Sequence, residues 1–308
     1  MSQVRHQPSL VAVRQTAGRG AARAAARRRG STAGAERRPG WVTYVLLGVV
    51  LAVSAYPLYY AFLLASSDAS TIAQNPIPSL VPGPHFLENV TRVLGSDINF
   101  LTALRNSTVV AVVTAVSVVF FSTLAGFAFA RLGFRGRRPL LVFVIATMAV
   151  PTQLGVVPLF ILMSDLGWVG KLQAVIVPGL VTAFGVFWMT QYLDSALPQE
   201  LIEAARVDGC WLIGTFWHVA LPAARPAAAM LALFTFVASW TNFFWPFVVL
   251  GPSNPTLPVA VQLLQASHFK DMSLIMAGVV VSTAPLVVLF VVVGRQLVSG
   301  IMHGAVKG

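Results

Sequence analysis

Six stretches of this chain run for more than twenty residues with at most one charge each: roughly 41–65, 104–130, 139–163, 173–193, 226–250 and 272–297. A helix crossing the hydrocarbon core of a bilayer needs about 20 consecutive apolar residues. In lipid the backbone amides must be satisfied within the segment, so such stretches fold as helices. Proline and glycine recur inside them, at Pro57, Gly126, Pro151, Pro158, Pro178, Gly185 and Pro285. Membrane helices tolerate both where neighbours satisfy the freed backbone groups. Composition leads to the same place. Only 10% of the 308 residues are charged and 56% are hydrophobic, with a mean hydropathy of +0.77. A soluble domain carries about 25% charged residues, so lipid must cover much of this surface. The expected fold is all-α: a polytopic membrane protein with six transmembrane helices.

The basic residues set the expected orientation. Nine arginines fall in the first 40 positions, opposed only by Glu36. Arg131, Arg135, Arg137 and Arg138 follow the second stretch, Arg206 and Arg225 the fourth, and Arg295 and Lys307 lie at the end. The alternate loops hold only Arg92, Arg105, Lys171 and Lys270. Loops rich in Lys and Arg stay cytoplasmic. Both termini and the loop at about 194–225 are therefore expected inside, in a multi-pass protein of the cell membrane. The net charge of +11 is concentrated in the tail, which argues against nucleic acid as a partner of the body. Residues 1–40 read as a disordered Arg/Ala-rich cytoplasmic tail beside anionic lipid; an Arg-rich, acid-poor transit peptide shares that composition. Residues 41–308 read as the transmembrane domain. The apolar run after the tail is too long for a signal-peptide core. Cys210 is the single cysteine, so no internal disulfide forms. The outer loop at about 66–103 is rich in turn formers and is expected to carry a short amphipathic helix near Phe86–Leu94.

The loop at 194–225 carries the most specific pattern. Pro198 suits a helix start, where its missing N–H is not needed. Glu200 and Glu203 place negative charge near the helix N-terminus, and Glu203-Ala204-Ala205-Arg206 favour helix. Asp208-Gly209 then ends it, glycine being free to turn left-handed. A second helix is expected from about Trp211 to Ala220, stopping before Pro222.

Glu203, Ala204, Ala205, Asp208 and Gly209, followed by Phe216, Leu221, Pro222 and Pro226, resemble the EAA loop of binding-protein-dependent ABC importer permeases. Cys210 and Val219 are mild departures from that pattern. Ser239-Trp240-Thr241-Asn242-Phe243-Phe244-Trp245-Pro246 is similar to the aromatic-Asn-Pro stretch of sugar permeases. The C-terminus from Leu297 looks like that of the maltose-type inner permease. The resemblance covers about residue 41 to the end. It implies a second permease subunit, an ABC ATPase dimer beneath the pair and an extracellular solute-binding protein as partners. It also implies that Glu203, Ala204, Ala205, Arg206, Asp208, Gly209, Leu221 and Pro222 couple to the ATPase during alternating access.

The chain has no G-x-x-x-x-G-K-[ST] phosphate loop, so ATP and Mg belong to a partner ATPase and no cofactor is expected here. Its five histidines are scattered, with no H-E-x-x-H and no Cys pair, and no metal site or catalytic residue is expected. The near absence of ionisable groups inside the stretches disfavours ion coupling and suits a neutral polyhydroxyl substrate. Among the polar residues there (Asn106, Ser107, Thr147, Thr152, Gln153, Ser239, Thr241, Asn242, Ser282 and Thr283), helix packing competes with substrate binding. Gln153 and Asn242 stand out, because an amide offers donor and acceptor together; Trp240, Phe244 and Trp245 are aromatic candidates for packing on a sugar face. Within the family the pattern leans towards oligosaccharides, narrowly a cello-oligosaccharide. Glycerol phosphate or another small solute remains an alternative, with a non-ABC secondary transporter as the rival class.

Overall fold

The computed structural model describes residues 40–75, 80–268 and 271–305, with backbone only from 293 onward. The Arg-rich tail, the Pro76–Pro78 turn formers, Lys270 and Lys307 lie outside the described residues. So do the side chains of Arg295 and His303. The described residues form helices and turns, with no strand among them. In chain order the helices are α1 (Trp41–Ala65), α2 (Ala69–Gln74), α3 (Phe86–Leu94), α4 (Phe100–Arg131), α5 (Arg137–Thr147), α6 (Val156–Asp165) and α7 (Gln173–Ile176). They continue with α8 (Ala183–Ala196), α9 (Gln199–Val207), α10 (Leu212–Thr215), α11 (Leu221–Trp240), α12 (Phe244–Val249), α13 (Leu257–Ser267) and α14 (Met272–Ala305). Among the described residues, five helical runs are long and apolar enough to span a bilayer, or six if the bent pair α5–α6 counts as one span. The amphipathic helix expected at Phe86–Leu94 is α3.

The described residues fall into two units, one ending at Pro57 and one beginning at Leu58. In the first, every side chain from Trp41 to Pro57 is exposed, as suits a helix face covered by lipid. In the second, α4 is the spine. Its 32 residues extend about 48 Å, more than the roughly 30 Å hydrocarbon thickness. Its first half packs with Val93, Trp240, Leu257, Leu264 and Leu274. Its second half packs with Met189, Leu193, Leu197, Ile202, Phe216 and Leu231. The crossing of α4 with α8 is backbone-close. A Cβ on Gly126 would lie 2.8 Å from the Met189 carbonyl carbon, and one on Gly185 would lie 3.1 Å from Val118. Small residues at such crossings let membrane helices associate through van der Waals contact.

Three expected elements are corrected. The stretch at 226–250 is not one helix: α11 ends at Trp240 and α12 begins at Phe244. Pro246 explains the break, because its ring would strike the carbonyl four residues earlier, at Asn242. The stretch at 139–163 is two helices bent by 88°. Pro151 pushes Val150 out of helical geometry. The helix expected to stop before Pro222 instead runs on. α10 passes through a π turn at Phe216–Ala220 into α11. The wider i→i+5 turn accommodates proline without ending the helix.

Candidate functional site

The most sharply defined surface feature is an elbow built from α9, Gly209 and α10. Helix α9 begins after Pro198, whose ψ of 148° is extended. Ile202 and Ala205, three residues apart, share one face and are buried, Ile202 in the core formed with Leu193, Leu197 and Phe216. Glu203, Ala204, Arg206 and Val207 face outwards and are exposed. The helix ends in a Schellman turn. The Cys210 N–H donates to the Ala205 carbonyl at 2.8 Å and the Gly209 N–H to the Arg206 carbonyl at 3.1 Å, with Gly209 at φ 80°. That conformation is what glycine at the C′ position supplies.

The outer face of the elbow combines apolar and charged groups. Val207 is 87% exposed and Trp211 76%, with Leu212 and Ile213 beside them. Glu203, Arg206 and Asp208 make no ion pair among the described residues. Leu221 and Pro222 are half-buried and shape the junction of the π turn with α11 rather than standing on this face. Behind the elbow, Phe120, Phe127, Phe216 and Trp217 make tilted and edge-on ring contacts. They line an apolar cavity of about 280 Å³.

Arg131, in the sequence only a marker of sidedness, ties two helix ends together here. Its guanidinium donates to the Leu193 carbonyl at 3.1 Å and to the Asp194 carbonyl, and lies 3.6 Å from the Asp194 carboxylate. A cation at a helix C-terminus satisfies orphan carbonyls and suits the dipole. It thereby ties the end of α4 to the end of α8, from which the chain passes directly into α9. No sequence signal distinguishes this arginine from its neighbours in the same loop.

The other candidate residues separate into two groups. Trp240 is 4% exposed; its Nε1–H donates to the Ser282 carbonyl at 3.2 Å and its ring stacks on Phe236 at 5.5 Å. Trp245 is half-buried and donates to the Ala174 carbonyl at 2.9 Å. Both tryptophans are fixed by packing. Gln153, Asn242 and Phe244 are exposed, at the two helix interruptions. These interruptions are related in space, because α12 packs on α6 and α7, with Leu159, Phe160, Met163, Trp245 and Val249 in one apolar cluster. Asn106 and Ser107 are buried and serve packing. Asn106 donates to Asn254 at 2.8 Å and to the Pro255 carbonyl at 2.9 Å, and Ser107 accepts from the Leu257 N–H at 2.8 Å. Among the described residues no three His, Cys, Asp or Glu side chains gather as a metal site.

Comparison with known proteins places this architecture. Residues 119–299 match the family model for the binding-protein-dependent transport system inner membrane component. The arabinooligosaccharides transport system permease protein AraQ of Halalkalibacterium halodurans is 31% identical over 87% of this chain and 96% of its own. The trehalose/maltose transport system permease protein MalG of Thermococcus litoralis is 30% identical over 86% and 96%. A chain of a bacterial ABC transporter involved in the import of the acidic polysaccharide alginate superposes with a TM-score of 0.70 at 25% identity, covering 82% of this chain and 94% of that one. This chain belongs to the binding-protein-dependent transport system inner membrane components, and is a multi-pass membrane transport component rather than an enzyme.

Proposed function

We propose that this chain is one of two permease subunits of an ATP-driven importer of oligosaccharides, lying in the cell membrane with both termini cytoplasmic. The observation that carries this reading is the elbow around Gly209. A short helix held from behind by Ile202 and Ala205 presents Glu203, Arg206, Asp208, Val207 and Trp211 outwards, and it lies within the family match. A face with exposed aromatic and apolar residues beside unpaired charges has the composition of a protein–protein contact.

In this reading the outward face of α9 and α10 docks in an ABC ATPase dimer, which holds ATP and Mg and supplies the energy. The partner permease completes the pathway, and an extracellular solute-binding protein delivers the sugar. Closure of the ATPase pushes on α9. That push reaches α8 through Leu197 and α4 through Arg131, so the two permeases rock between outward- and inward-open states. The sugar assignment is supported by relatives named for arabino-oligosaccharides and for trehalose and maltose, and by exposed amides at both helix interruptions. A cello-oligosaccharide is the narrower candidate.

Cys210 provides the test, being the only thiol in the chain. A short thiol crosslinker applied to inside-out vesicles of the complete system should join this chain to the ATPase through Cys210. Reaction with a membrane-impermeant thiol reagent from the outer face would overturn the orientation and the coupling role together. Uptake measured with labelled arabino-, malto- and cello-oligosaccharides and glycerol phosphate then sets the substrate class.

A further inference from the structure

Resting on the importer reading above, we propose that the cavity between α11, α13 and α14 is a sugar subsite belonging to this chain, with Gln262 as its polar anchor. The cavity is an open groove of about 350 Å³ bounded by Trp240, Thr241, Phe243, Gln262, Ser282 and Thr283, with aliphatic side chains between them. That volume lies at the lower end of the range of small-molecule sites, about 300–1,000 Å³.

Its depth fits a transported solute. The α14 residues that line it fall between 279 and 286, about 10 to 21 Å along the helix from Met272. In a hydrocarbon core of about 30 Å this is the middle of the membrane. The backbone beside it is irregular. Residues 241–243 lie between α11 and α12 and are exposed, with the Thr241 and Asn242 N–H groups bonded back to the Val237 and Ser239 carbonyls at 3.0 and 3.3 Å. Such backbone persists at membrane depth only where protein or water meets it, never lipid. Thr241 and Phe243 belong to this break and also line the cavity. A polar solute or the partner permease, rather than an acyl chain, therefore suits this groove.

Its chemistry selects a neutral, hydroxyl-bearing ligand. No ionisable side chain lines it. The Gln262 side chain is exposed and has no hydrogen-bond partner among the described residues. Its amide offers a donor and an acceptor, as a sugar hydroxyl requires. The Ser282 and Thr283 hydroxyls donate to the Gly278 carbonyl at 2.7 Å and the Val279 carbonyl at 2.8 Å, which leaves their oxygens as acceptors. Trp240, fixed by its bond to the Ser282 carbonyl, and Phe243 give the apolar wall against which the C–H face of a sugar ring packs. Gln262 stands on the short helix α13, between two spans, where hydropathy draws no attention to it.

The test uses the complete importer reconstituted in vesicles with its ATPase, partner permease and binding protein. Single cysteines, Gln262→Cys or Thr283→Cys, are placed in a Cys210→Ser background whose own uptake is the reference. A charged methanethiosulfonate reagent should modify both positions, and the best-imported oligosaccharide of the panel should slow that modification. Gln262→Ala should lower kcat/KM for uptake roughly two- to tenfold, the range for one lost neutral hydrogen bond, while binding-protein-stimulated ATP hydrolysis persists. Failure of both cysteines to react would mean that lipid or the partner permease fills the groove, and would overturn the subsite. Modification indifferent to the sugar, or unchanged uptake by Gln262→Ala, would overturn it too. If the wild-type complex imports no sugar of the panel, the importer reading itself fails, a distinct outcome.

Discussion

Replacing Gly209 tests whether the elbow works through its backbone. Gly209 sits at φ 80°, where an L-residue with a Cβ is strained by roughly 1–2 kcal/mol. A Cβ there would meet nothing within 4 Å, so no steric clash inside this chain adds to that cost. The alternative is to abandon the turn and lose its two hydrogen bonds, from Gly209 to Arg206 and from Cys210 to Ala205. Each is worth about 0.5–1.5 kcal/mol, a similar sum. Either way the population of the native elbow shifts by a factor of about 5 to 30. Ile202 and Ala205 keep α9 docked, so the effect falls on the direction of α10 and not on the fold. Asparagine tolerates the left-handed region better than other residues with a Cβ. The expected order of sugar imported per ATP hydrolysed, in reconstituted vesicles, is Gly209, then Gly209→Asn, Gly209→Ala and Gly209→Val. Gly209→Asp falls below Gly209→Asn, because it sets a second carboxylate beside Asp208, and it uncouples while the subunit remains in the membrane. Wild-type coupling in Gly209→Val would refute the reasoning. Equal loss in Asn and Val would place the effect in a side-chain clash with a partner rather than in φ.

Gly126→Val should force α4 and α8 apart, because the new Cβ would lie 2.8 Å from Met189 backbone; overpacking of this kind costs about 1–3 kcal/mol. A lower midpoint of thermal unfolding in detergent is the expected readout, with Gly126→Ala milder. Arg92 on α3 reaches Asp271, just before α14, at 2.6 Å. Burial works to raise the Asp271 carboxyl, but hydrogen bonds from Ser273, the Leu274 N–H and Arg92, and the Arg92 charge, outweigh it and hold it below its ordinary value. A depressed carboxyl contributes stability above its unfolded pKa of about 3.9 and loses it as pH falls through the folded value. The contact should therefore be indifferent to pH between 5 and 8, roughly one to four units above that unfolded pKa, and weaken only in stronger acid. Asp271→Asn should lower stability near neutrality and flatten that acid response, read by unfolding midpoints across pH.

The spans and the Gly209 turn were legible in the sequence for different reasons. Long uncharged runs have one solution in lipid, and Asp208-Gly209 after a helix-forming run has a local meaning that needs no tertiary contact. The breaks were not legible from hydropathy, because α11, the turn at 241–243 and α12 are all apolar and average into one stretch. Pro246 and Pro151 held the information, but proline is common enough in membrane helices that its presence alone does not decide between a kink and an end. The continuation through Pro222 depended on a π turn, which no residue type announces. Asn106 and Ser107 had the chemistry of sugar ligands, and only their bonds to Asn254, Pro255 and Leu257 assign them to packing. Arg131 and Gln262 depend on long-range neighbours that no local pattern encodes.

The most direct measurement is purification of the tagged full chain from its native membrane in mild detergent, with mass spectrometry of the proteins that accompany it. An ATPase carrying a G-x-x-x-x-G-K-[ST] loop and a second multi-span permease should accompany the chain in constant proportion. Gly209→Val should retain the permease and weaken recovery of the ATPase. A chain recovered alone, or only with further copies of itself, would contradict the importer assignment and leave a self-sufficient transporter in its place.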